Sequence, residues 1–188
     1  MANTSDISDD CRTIGAAGEG EADMLIGVLS DTHDNMPAAA EAVRRLLEMG
    51  AARLVHCGDL VSPHMVDLLA GVESGFVFGN CDWDRPGLRR QAQALGVECW
   101  GTMGQFEADG RRIAVIHGDD AQAMRAAMGG GFDYVLSGHT HQRRDERVGR
   151  TRWINPGALH RTSVRTAALL DLCDDLLRSI EIESPRAR

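Results

Sequence analysis

The stretch LIGVLSDTH, residues 25–33, decides the fold, because an apolar run passes directly into side chains that can do chemistry. Leu25–Leu29 offers no polar side chain to either face, which is typical of a strand buried on both sides of a largely parallel sheet. Asp31 and His33 follow within four residues. An acid and an imidazole therefore lie at the carboxyl end of a predicted strand, the edge of α/β sheets where binding sites form.

The same arrangement recurs four times further along the chain. Apolar runs at 54–57, 76–78, 113–116 and 134–136 predict four more strands. Each run leads into an acidic, amide or imidazole side chain beside a glycine. These segments are Gly58-Asp59, Gly79-Asn80-Cys81-Asp82, His117-Gly118-Asp119 and Gly138-His139-Thr140-His141. The sequence therefore predicts that five strands deliver polar groups to one edge of a sheet.

Helical segments separate these strands, which predicts β-α-β units and a largely parallel sheet. They run from about Met36 to Met49, from Ser62 and Pro63, from Asp84 and Pro86, and from about Asp119 to the glycines at 129–131. The last part of the chain differs, because strands at 152–154, 167–172 and 177–182, with a hairpin turn at 174–175, predict a second, more antiparallel sheet. We expect two sheets packed face to face with helices outside.

Two pairs of the polar residues lie two positions apart, Asp31 with His33 and His139 with His141. Side chains two apart on an extended chain point the same way, so each pair can present two groups to one place. Imidazole nitrogen and carboxylate oxygen suit Zn²⁺, Mn²⁺ and Fe²⁺. One histidine at a strand end is usually an ordinary polar residue, but this number of such residues predicts a metal site. The predicted ligands are Asp31, His33, Asp59, Asn80, His117, His139 and His141.

The other three histidines have less specific positions. His56 lies inside a strand and is expected to be buried behind the site or in the core, whereas His64 lies on a helix and is expected at the surface. For His160 two interpretations stay open, an ordinary loop residue or one that lines the pocket. Asp34 and Asp82 are likewise either solvated loop carboxylates or groups that orient the ligands.

Length and composition predict one globular domain preceded by an acidic tail. The chain has 188 residues, of which 43% are apolar, and a net charge of −8. Residues 1–23 hold six carboxylates against Arg12 alone, so we expect a disordered tail before a domain at 24–188, with Met24 as an alternative start. No run approaches the ~20 apolar residues of a membrane helix, and the first residues do not resemble a secretory signal.

The cysteines indicate the compartment to expect, and the net charge limits the partners to expect. Five cysteines, with no C-x-x-C pair, favour a reducing cytoplasm over a disulfide framework or a thiolate zinc site. Nucleic acid is not an expected partner, because the chain is acidic and only Trp83, Trp100 and Tyr134 could stack on bases. The expected partner is a small molecule, and the sequence does not decide between a monomer and a homo-oligomer.

The series Asp31-Thr32-His33, Gly58-Asp59, Gly79-Asn80, His117-Gly118 and Gly138-His139-Thr140-His141 resembles the calcineurin-like metallophosphoesterase superfamily. With Cys81 after the asparagine, the chain is most similar to the compact bacterial and archaeal phosphodiesterases of the YfcE type. The resemblance implies a four-layer α/β/β/α sandwich of two mixed sheets and two divalent cations, Mn²⁺ before Zn²⁺, Fe²⁺ or Ni²⁺. It assigns Asp31, His33 and His141 to the first cation, Asn80, His117 and His139 to the second, and Asp59 to both.

The function implied by this resemblance is the hydrolysis of phosphodiesters, and of some monoesters, by a metal-activated hydroxide (EC 3.1.4.-). Asp59, Asn80 and His117 would then form the catalytic centre. Two dications outweigh two carboxylates and a hydroxide, so the site would keep a positive charge suited to a diester monoanion. Many members of the superfamily have a proton-donating histidine where this chain has Cys81, and a thiol is a weak donor.

A second hypothesis is a non-catalytic protein-interaction scaffold of the same fold, as in the retromer subunit. That subunit has lost part of the ligand set, whereas all seven positions of this chain carry side chains able to bind a metal. A scaffold has no chemical need for the complete set, so the sequence favours the enzyme.

A protein that begins at Met24 is expected to fold and to hydrolyse diesters like the full chain, because residues 1–23 are too polar to bury the apolar surface that ordering requires. The melting temperature and the rate of diester hydrolysis, compared with the full chain, check this. A large fall in either on truncation would show that the tail docks onto the domain.

Overall fold

The computed structural model describes residues 24–183, so the predicted tail at 1–23 lies outside the described residues. The described chain forms eleven strands, three α-helices and one 3-10 helix. The strands are β1 (Leu25–Leu29), β2 (Arg53–His56), β3 (Glu73–Phe76), β4 (Glu98–Cys99), β5 (Met103–Ala108), β6 (Arg111–Ile116), β7 (Tyr134–Leu136), β8 (Arg144–Val148), β9 (Thr151–Asn155), β10 (Arg165–Asp171) and β11 (Leu176–Ile182). The helices are α1 (Met36–Glu48), the 3-10 helix (Pro63–Leu69), α2 (Arg85–Leu95) and α3 (Ala121–Gly129).

Two mixed sheets carry the fold. The first has the strand order β11-β10-β1-β2-β3-β4, and the second has the order β5-β6-β7-β9-β8. Strands β1 to β4 run parallel, as do β6, β7 and β9, while the other strands join antiparallel. Helices α1 and α2 pack on the outer face of the first sheet, and α3 packs on the outer face of the second. The predicted four-layer α/β/β/α sandwich is confirmed.

The strand sequences explain why both sheets are covered on both faces. In β1, Ile26 and Val28 pack between the two sheets, while Leu29 packs under the helices. In β6, Val115 faces the other sheet and Ile116 faces α3. Because alternate residues point to opposite faces, a strand apolar at every position is stable only when both faces are covered.

One expectation about the sheets is wrong. The three C-terminal strands do not form a second, antiparallel sheet together: β9 lies parallel to β7 in the second sheet, while β10 and β11 extend the first sheet beside β1. Strand β10 is apolar on both faces, with Leu169 under the helices and Leu170 between the sheets. A place within the first sheet buries both faces, which an exposed antiparallel sheet would not.

Other differences concern weak sequence signals. The third strand lies at Glu73–Phe76 rather than at 76–78. Strands β4, β5 and β8 were not predicted, because β4 is two residues long, β5 contains alternating polar residues, and β8 is an edge strand of mostly charged, exposed residues. Edge strands commonly carry such charges because they discourage pairing with other chains.

The helices begin close to the predicted positions. Asp84 caps α2 by accepting a hydrogen bond from the backbone of Gly87, and Asp120, rather than Asp119, caps α3. The segment that begins after Ser62 forms a 3-10 helix, and the Ser62 side chain makes no capping bond. Within residues 24–183, no helix has the length and apolar character needed to cross a bilayer.

The packing of α1 predicts opposite outcomes for two neighbouring leucines. Leu46 is fully buried against the first sheet, whereas Leu47 is 41% exposed. Leu46→Ala should lower the free energy of unfolding by about 2–5 kcal/mol, since it leaves a cavity, and the matched Leu47→Ala control should change it by less than about 1 kcal/mol. Urea denaturation followed by circular dichroism measures both. Equal losses would contradict this assignment of the buried face.

Candidate metal centre

All seven predicted ligands meet at one edge of the sandwich, in the loops that follow β1, β2, β3, β6 and β7. Asp31, Asp59 and His117 are buried at the bottom of this site, and each can contribute one ligand atom to a group whose atoms lie within 4.8 Å of one another. Asn80 and His139 are exposed at its rim. The site is therefore an open depression, called the cup below, with the carboxylates of Asp31 and Asp59 at its bottom.

Asp31, His33 and His141 form one side of the cup. His141 Nε2 lies 3.3 Å from Asp31 Oδ1, and His33 Nε2 lies 4.0 Å from the same oxygen. The other oxygen, Asp31 Oδ2, accepts a hydrogen bond of 3.0 Å from the backbone N–H of His139. One carboxylate oxygen is thus used for structure, and the other faces two imidazoles.

Asn80, His117 and His139 form the other side. The amide oxygen Asn80 Oδ1 lies 3.2 Å from His117 Nε2 and 3.1 Å from His139 Nδ1. Three potential ligand atoms therefore converge on one place. The backbone N–H of Gly138 donates a hydrogen bond of 2.9 Å to the carbonyl oxygen of His117, which connects the two loops that carry these histidines.

Asp59 lies between the two sides. Its Oδ2 is 3.5 Å from His33 Nε2 and 3.5 Å from His117 Nε2, and its Oδ1 accepts a hydrogen bond of 2.7 Å from the backbone N–H of Cys81. Burial raises the pKa of Asp59, but the hydrogen bond and charge of His117 outweigh it, so the pKa lies well below the usual range. Asp59 is therefore ionised, and one of its oxygens faces both groups of imidazoles.

His117 is held in the tautomer that a metal ligand requires. Its Nδ1 lies 2.8 Å from the carbonyl oxygen of Cys57, and a carbonyl can only accept, so Nδ1 carries the proton and Nε2 faces the cup. Burial lowers the pKa of His117, but Asp59 raises it by hydrogen bonding and charge to about 9. With this pKa, Nε2 also carries a proton at neutral pH, and a divalent cation on Nε2 would replace this second proton as the partner of the Asp59 carboxylate.

Two buried atoms on the other side test whether a cation fits. Asp31 Oδ1 and His33 Nε2 are buried and have no hydrogen-bond partner among residues 24–183. Burial also raises the pKa of Asp31 and lowers the pKa of His33. Both shifts disfavour the charged form, as expected where the surrounding opposite charges do not fully balance it. Buried polar atoms are normally paired, so a carboxylate oxygen and an imidazole nitrogen aimed at one space fit a bound cation.

The backbone of the site is held in unusual conformations. Five of the seven candidate ligands have positive φ, at 53° for Asp31, 42° for His33, 61° for Asp59, 68° for His139 and 56° for His141. Such residues cost about 1–3 kcal/mol each unless local contacts compensate, and they concentrate at functional sites. Here the loops also bond to each other, with the N–H of Asp31 donating to Gly58 and that of His33 to Asp59, both at 3.0 Å.

Two glycines are required by close approach rather than by flexibility. A Cβ on Gly79 would lie 2.2 Å from Asp59 Oδ1. A Cβ on Gly138 would lie 1.9 Å from Ser30 Oγ and 2.8 Å from Asp31 Oδ2. All three distances are too short for real atoms. The glycines of the predicted motifs therefore make room for the two carboxylates.

Asp82 fixes the loop that carries Asp59. It is buried, and its carboxylate accepts hydrogen bonds from the backbone N–H groups of Asp59 at 3.0 Å, Gly79 at 2.7 Å and Val61 at 2.7 Å. Of the two interpretations left open for Asp82, the orienting one holds. Asp34 is exposed, and it accepts a hydrogen bond of 3.0 Å from the Ser62 N–H, which links the loop after β1 to the start of the 3-10 helix.

The histidines outside the predicted ligand set divide as their positions indicate. His56 is fully buried, accepts from the Gly58 N–H and bonds to Thr32 Oγ1, and burial lowers its pKa to about 3, so it stays neutral behind the site. His64 is exposed. The His160 ring centroid lies 5.7 Å from that of His33, so of its two interpretations the one that lines the pocket holds.

Two further residues shape the site without an obvious sequence signal. Asn155 donates to the Gly138 carbonyl at 2.7 Å and to Thr140 Oγ1 at 3.2 Å, which holds the loop carrying His139. Arg161 lies close enough to Cys81 for its charge to lower the thiol pKa, but burial and Asp59 raise that pKa to about 11. Cys81 is therefore a neutral thiol at neutral pH. An exposed loop arginine looks like any other in the sequence, so Arg161 could not be predicted.

The chain is similar to proteins that have been studied before. Phosphodiesterase MJ0936 of Methanocaldococcus jannaschii is 29% identical over 168 residues, which cover 85% of this chain and all of that protein. A solved structure of an archaeal phosphodiesterase is 28% identical, covers 85% of this chain and all of its own, and has a TM-score of 0.77.

The fold also occurs in Vps29. A structure of a Vps29 variant from Entamoeba histolytica covers 86% of this chain and all of its own, with 20% identity and a TM-score of 0.58. At this identity the likeness concerns the fold alone.

The family pattern described as the calcineurin-like phosphoesterase superfamily domain matches residues 24–175, which include all seven candidate ligands and every described strand except β11. Because the match covers most of the chain, this protein belongs to the calcineurin-like phosphoesterase superfamily.

Proposed function

We propose that this protein is a phosphodiesterase that binds two divalent cations, one on Asp31, His33 and His141 and one on Asn80, His117 and His139, with Asp59 shared between them. The observation that carries the proposal is the position of Asp59 Oδ2, which is 3.5 Å from an imidazole of each group. A carboxylate that faces both groups is what a bridging ligand requires. The names of the similar proteins, phosphodiesterases in two cases, support the reaction class.

The chain's own residues account for most of what the reaction needs. Divalent cations on these ligands would supply positive charge for the phosphoryl oxygens and a water acidic enough to attack at neutral pH. Asp82 keeps Asp59 in place through three backbone hydrogen bonds, and Cys57 keeps the Nε2 lone pair of His117 directed into the cup. Arg161 adds a positive charge on the Cys81 side of the site.

The charge of the site favours diesters over monoesters. Two buried carboxylates leave a dinuclear site with a modest positive charge, which a diester monoanion matches and a monoester dianion exceeds. Of the candidate metals we favour Mn²⁺, because carboxylate and amide oxygens suit this cation. The imidazoles keep Zn²⁺, Fe²⁺ and Ni²⁺ as alternatives. We infer a cytoplasmic setting, since Cys57, Cys81 and Cys99 are free thiols.

The fold by itself does not separate an enzyme from a scaffold, because Vps29 shares it. The state of the site separates them. Strained backbone at five candidate ligands and unpaired buried atoms on Asp31 and His33 cost stability, and a surface used only for docking gains nothing from them. This favours the enzyme.

The proposal is tested by purifying the protein without chelator, measuring bound metals by plasma mass spectrometry, and assaying phosphodiesters and monoesters with Mn²⁺ added. We expect two cations per chain and faster hydrolysis of diesters. Stoichiometric metal without hydrolysis of any ester would favour the scaffold, and absence of metal binding would overturn both cation assignments.

Asp59→Asn should reduce diester hydrolysis more than loss of a ligand that serves one cation only, such as His33→Ala. The fall should exceed about 100-fold, the upper end of what loss of a supporting residue around a metal costs. His64→Ala is the control, because His64 is exposed and is not a candidate ligand. It should leave the rate of hydrolysis and the metal content unchanged. Asp59→Asn that retains both activity and two cations would contradict the shared position of Asp59.

Cys81 predicts a strong dependence on the leaving group. With a neutral thiol where a proton donor would help, aryl diesters should react readily and alkyl diesters slowly, because general acid help is typically worth 10²–10⁴-fold. Cys81→His should narrow the gap, because an imidazolium donates a proton more readily than a neutral thiol. The Asp82 carboxylate is held by three backbone N–H groups, so we expect the new side chain to act without reorienting Asp82.

A series of aryl and alkyl phosphodiesters at saturating Mn²⁺ measures this gap in both proteins. Equal rates across the series in the original protein would mean that another residue donates the proton, or that chemistry is not rate-limiting. His160, whose ring lies beside that of His33, is the candidate donor to test, and a solvent isotope effect on the slowest substrate separates the two cases.

A further inference from the structure

A second cavity opens directly beside the candidate metal centre, on the side of His117. It has a volume of about 140 Å³ and lies between the end of the first sheet, the start of α2 and the start of α3. His117 belongs both to the metal centre and to the wall of this cavity. Whatever occupies the cavity is therefore adjacent to a phosphate bound at the cations.

The size and walls of the cavity limit what fits. A cavity of about 150 Å³ is enough to hold a benzene ring in another protein, so this one takes a single ring rather than a whole nucleoside. Phe78, Ile116 and Ala123 provide the apolar wall. A ring, with one apolar face, suits such a wall.

The remaining walls are polar. Thr102, Asp119 and Asp120 line the cavity with a hydroxyl and two carboxylates. Asp120 uses one oxygen to cap α3, whereas Asp119 has no part in that cap. Carboxylates of this kind bind sugar hydroxyls in nucleotide sites. The polar walls therefore suit hydroxyl groups on the ring.

Arg85 offsets the negative charge in the same cavity. Its guanidinium donates to the carbonyl oxygens of Asp82 at 3.3 Å and Gly79 at 3.4 Å and lies 5.2 Å from the centre of the Phe78 ring. Among residues 24–183 it pairs with no carboxylate. A guanidinium that is already held in place offsets one of the two aspartate charges and so reduces the repulsion of an approaching anionic phosphodiester.

We propose that this cavity is the subsite for the ester substituent that stays on phosphorus, and that it takes one hydroxylated ring such as a pentose. The inference rests on the proposed phosphodiesterase function. The leaving group is assigned to the other side of the site, because neither Cys81 nor His160, the two residues considered above for proton donation, lines this cavity. The apolar wall and Asp119 together would then set substrate preference.

The test uses three diesters that share the p-nitrophenolate leaving group and differ in the retained group, which is methyl, cyclohexyl or ribos-5-yl. In each, one water adds to phosphorus, the bond to p-nitrophenolate breaks, and a phosphomonoester and a proton are released. Differences in kcat/KM then report the retained group alone. We expect both ring esters to exceed the methyl ester by about 10-fold or more, with the ribosyl ester highest.

Two variants assign the preference to the cavity. Ala123→Phe fills it and should bring the three kcat/KM values close together, while Ala126→Phe on the exposed face of the same helix is the matched control. Asp119→Ala should lower only the ribosyl value, since it removes a hydroxyl partner and leaves the apolar wall intact. This second variant lies at an exposed position, so it keeps the test valid if Ala123→Phe does not fold.

A binding measurement distinguishes a failure of the cavity subsite from a failure of the proposed phosphodiesterase function. Calorimetric binding of ribose 5-phosphate to the Mn²⁺-loaded protein should be lost in Ala123→Phe and kept in Ala126→Phe. Equal kcat/KM for the three diesters, or equal binding in both variants, would overturn the subsite while leaving the phosphodiesterase intact. Absence of hydrolysis with ribose 5-phosphate still bound in a cavity-dependent way would overturn the proposed reaction and retain the subsite.

Discussion

Two buried carboxylates placed against imidazoles are the constraint on which the rest of this structure depends. Asp31 and Asp59 lie at the bottom of the cup, where a charge without a partner is costly. The surrounding chain holds both carboxylates in place. Glycines at 79 and 138 leave room for them, and one oxygen of each carboxylate accepts a hydrogen bond from a backbone N–H group. Asp82 fixes the loop that carries Asp59. The remaining oxygens face histidines, and a pair of divalent cations would complete their charge balance.

The fold explains how distant residues reach this place. Parallel strands β1, β2 and β3 end at one edge of the first sheet, and β6 and β7 end at the matching edge of the second. Packing the two sheets face to face brings these edges together, so each loop contributes one or two ligands. The apolar strands and the polar loops are thus parts of one pattern, in which burial of the former positions the latter.

Much of this could be predicted from the sequence, because apolar runs followed by Asp, Asn or His mark both the strands and the site. The division of the C-terminal strands between the two sheets could not be predicted. The apolar pattern of β10 shows that it is buried on both faces, but it does not show which strand β10 pairs with. The charged strand β8 carries no apolar signal. The three bonds of Asp82 and the cavity lined by Arg85 depend on distances between loops, which a linear pattern does not contain.

The central claim is that Asp59 is shared by two cations, and anomalous diffraction from crystals grown with Mn²⁺ tests it most directly. The account predicts two manganese peaks, one against Asp31, His33 and His141 and one against Asn80, His117 and His139, with the Asp59 carboxylate in contact with both. A single peak, or two peaks of which only one touches Asp59, would contradict it.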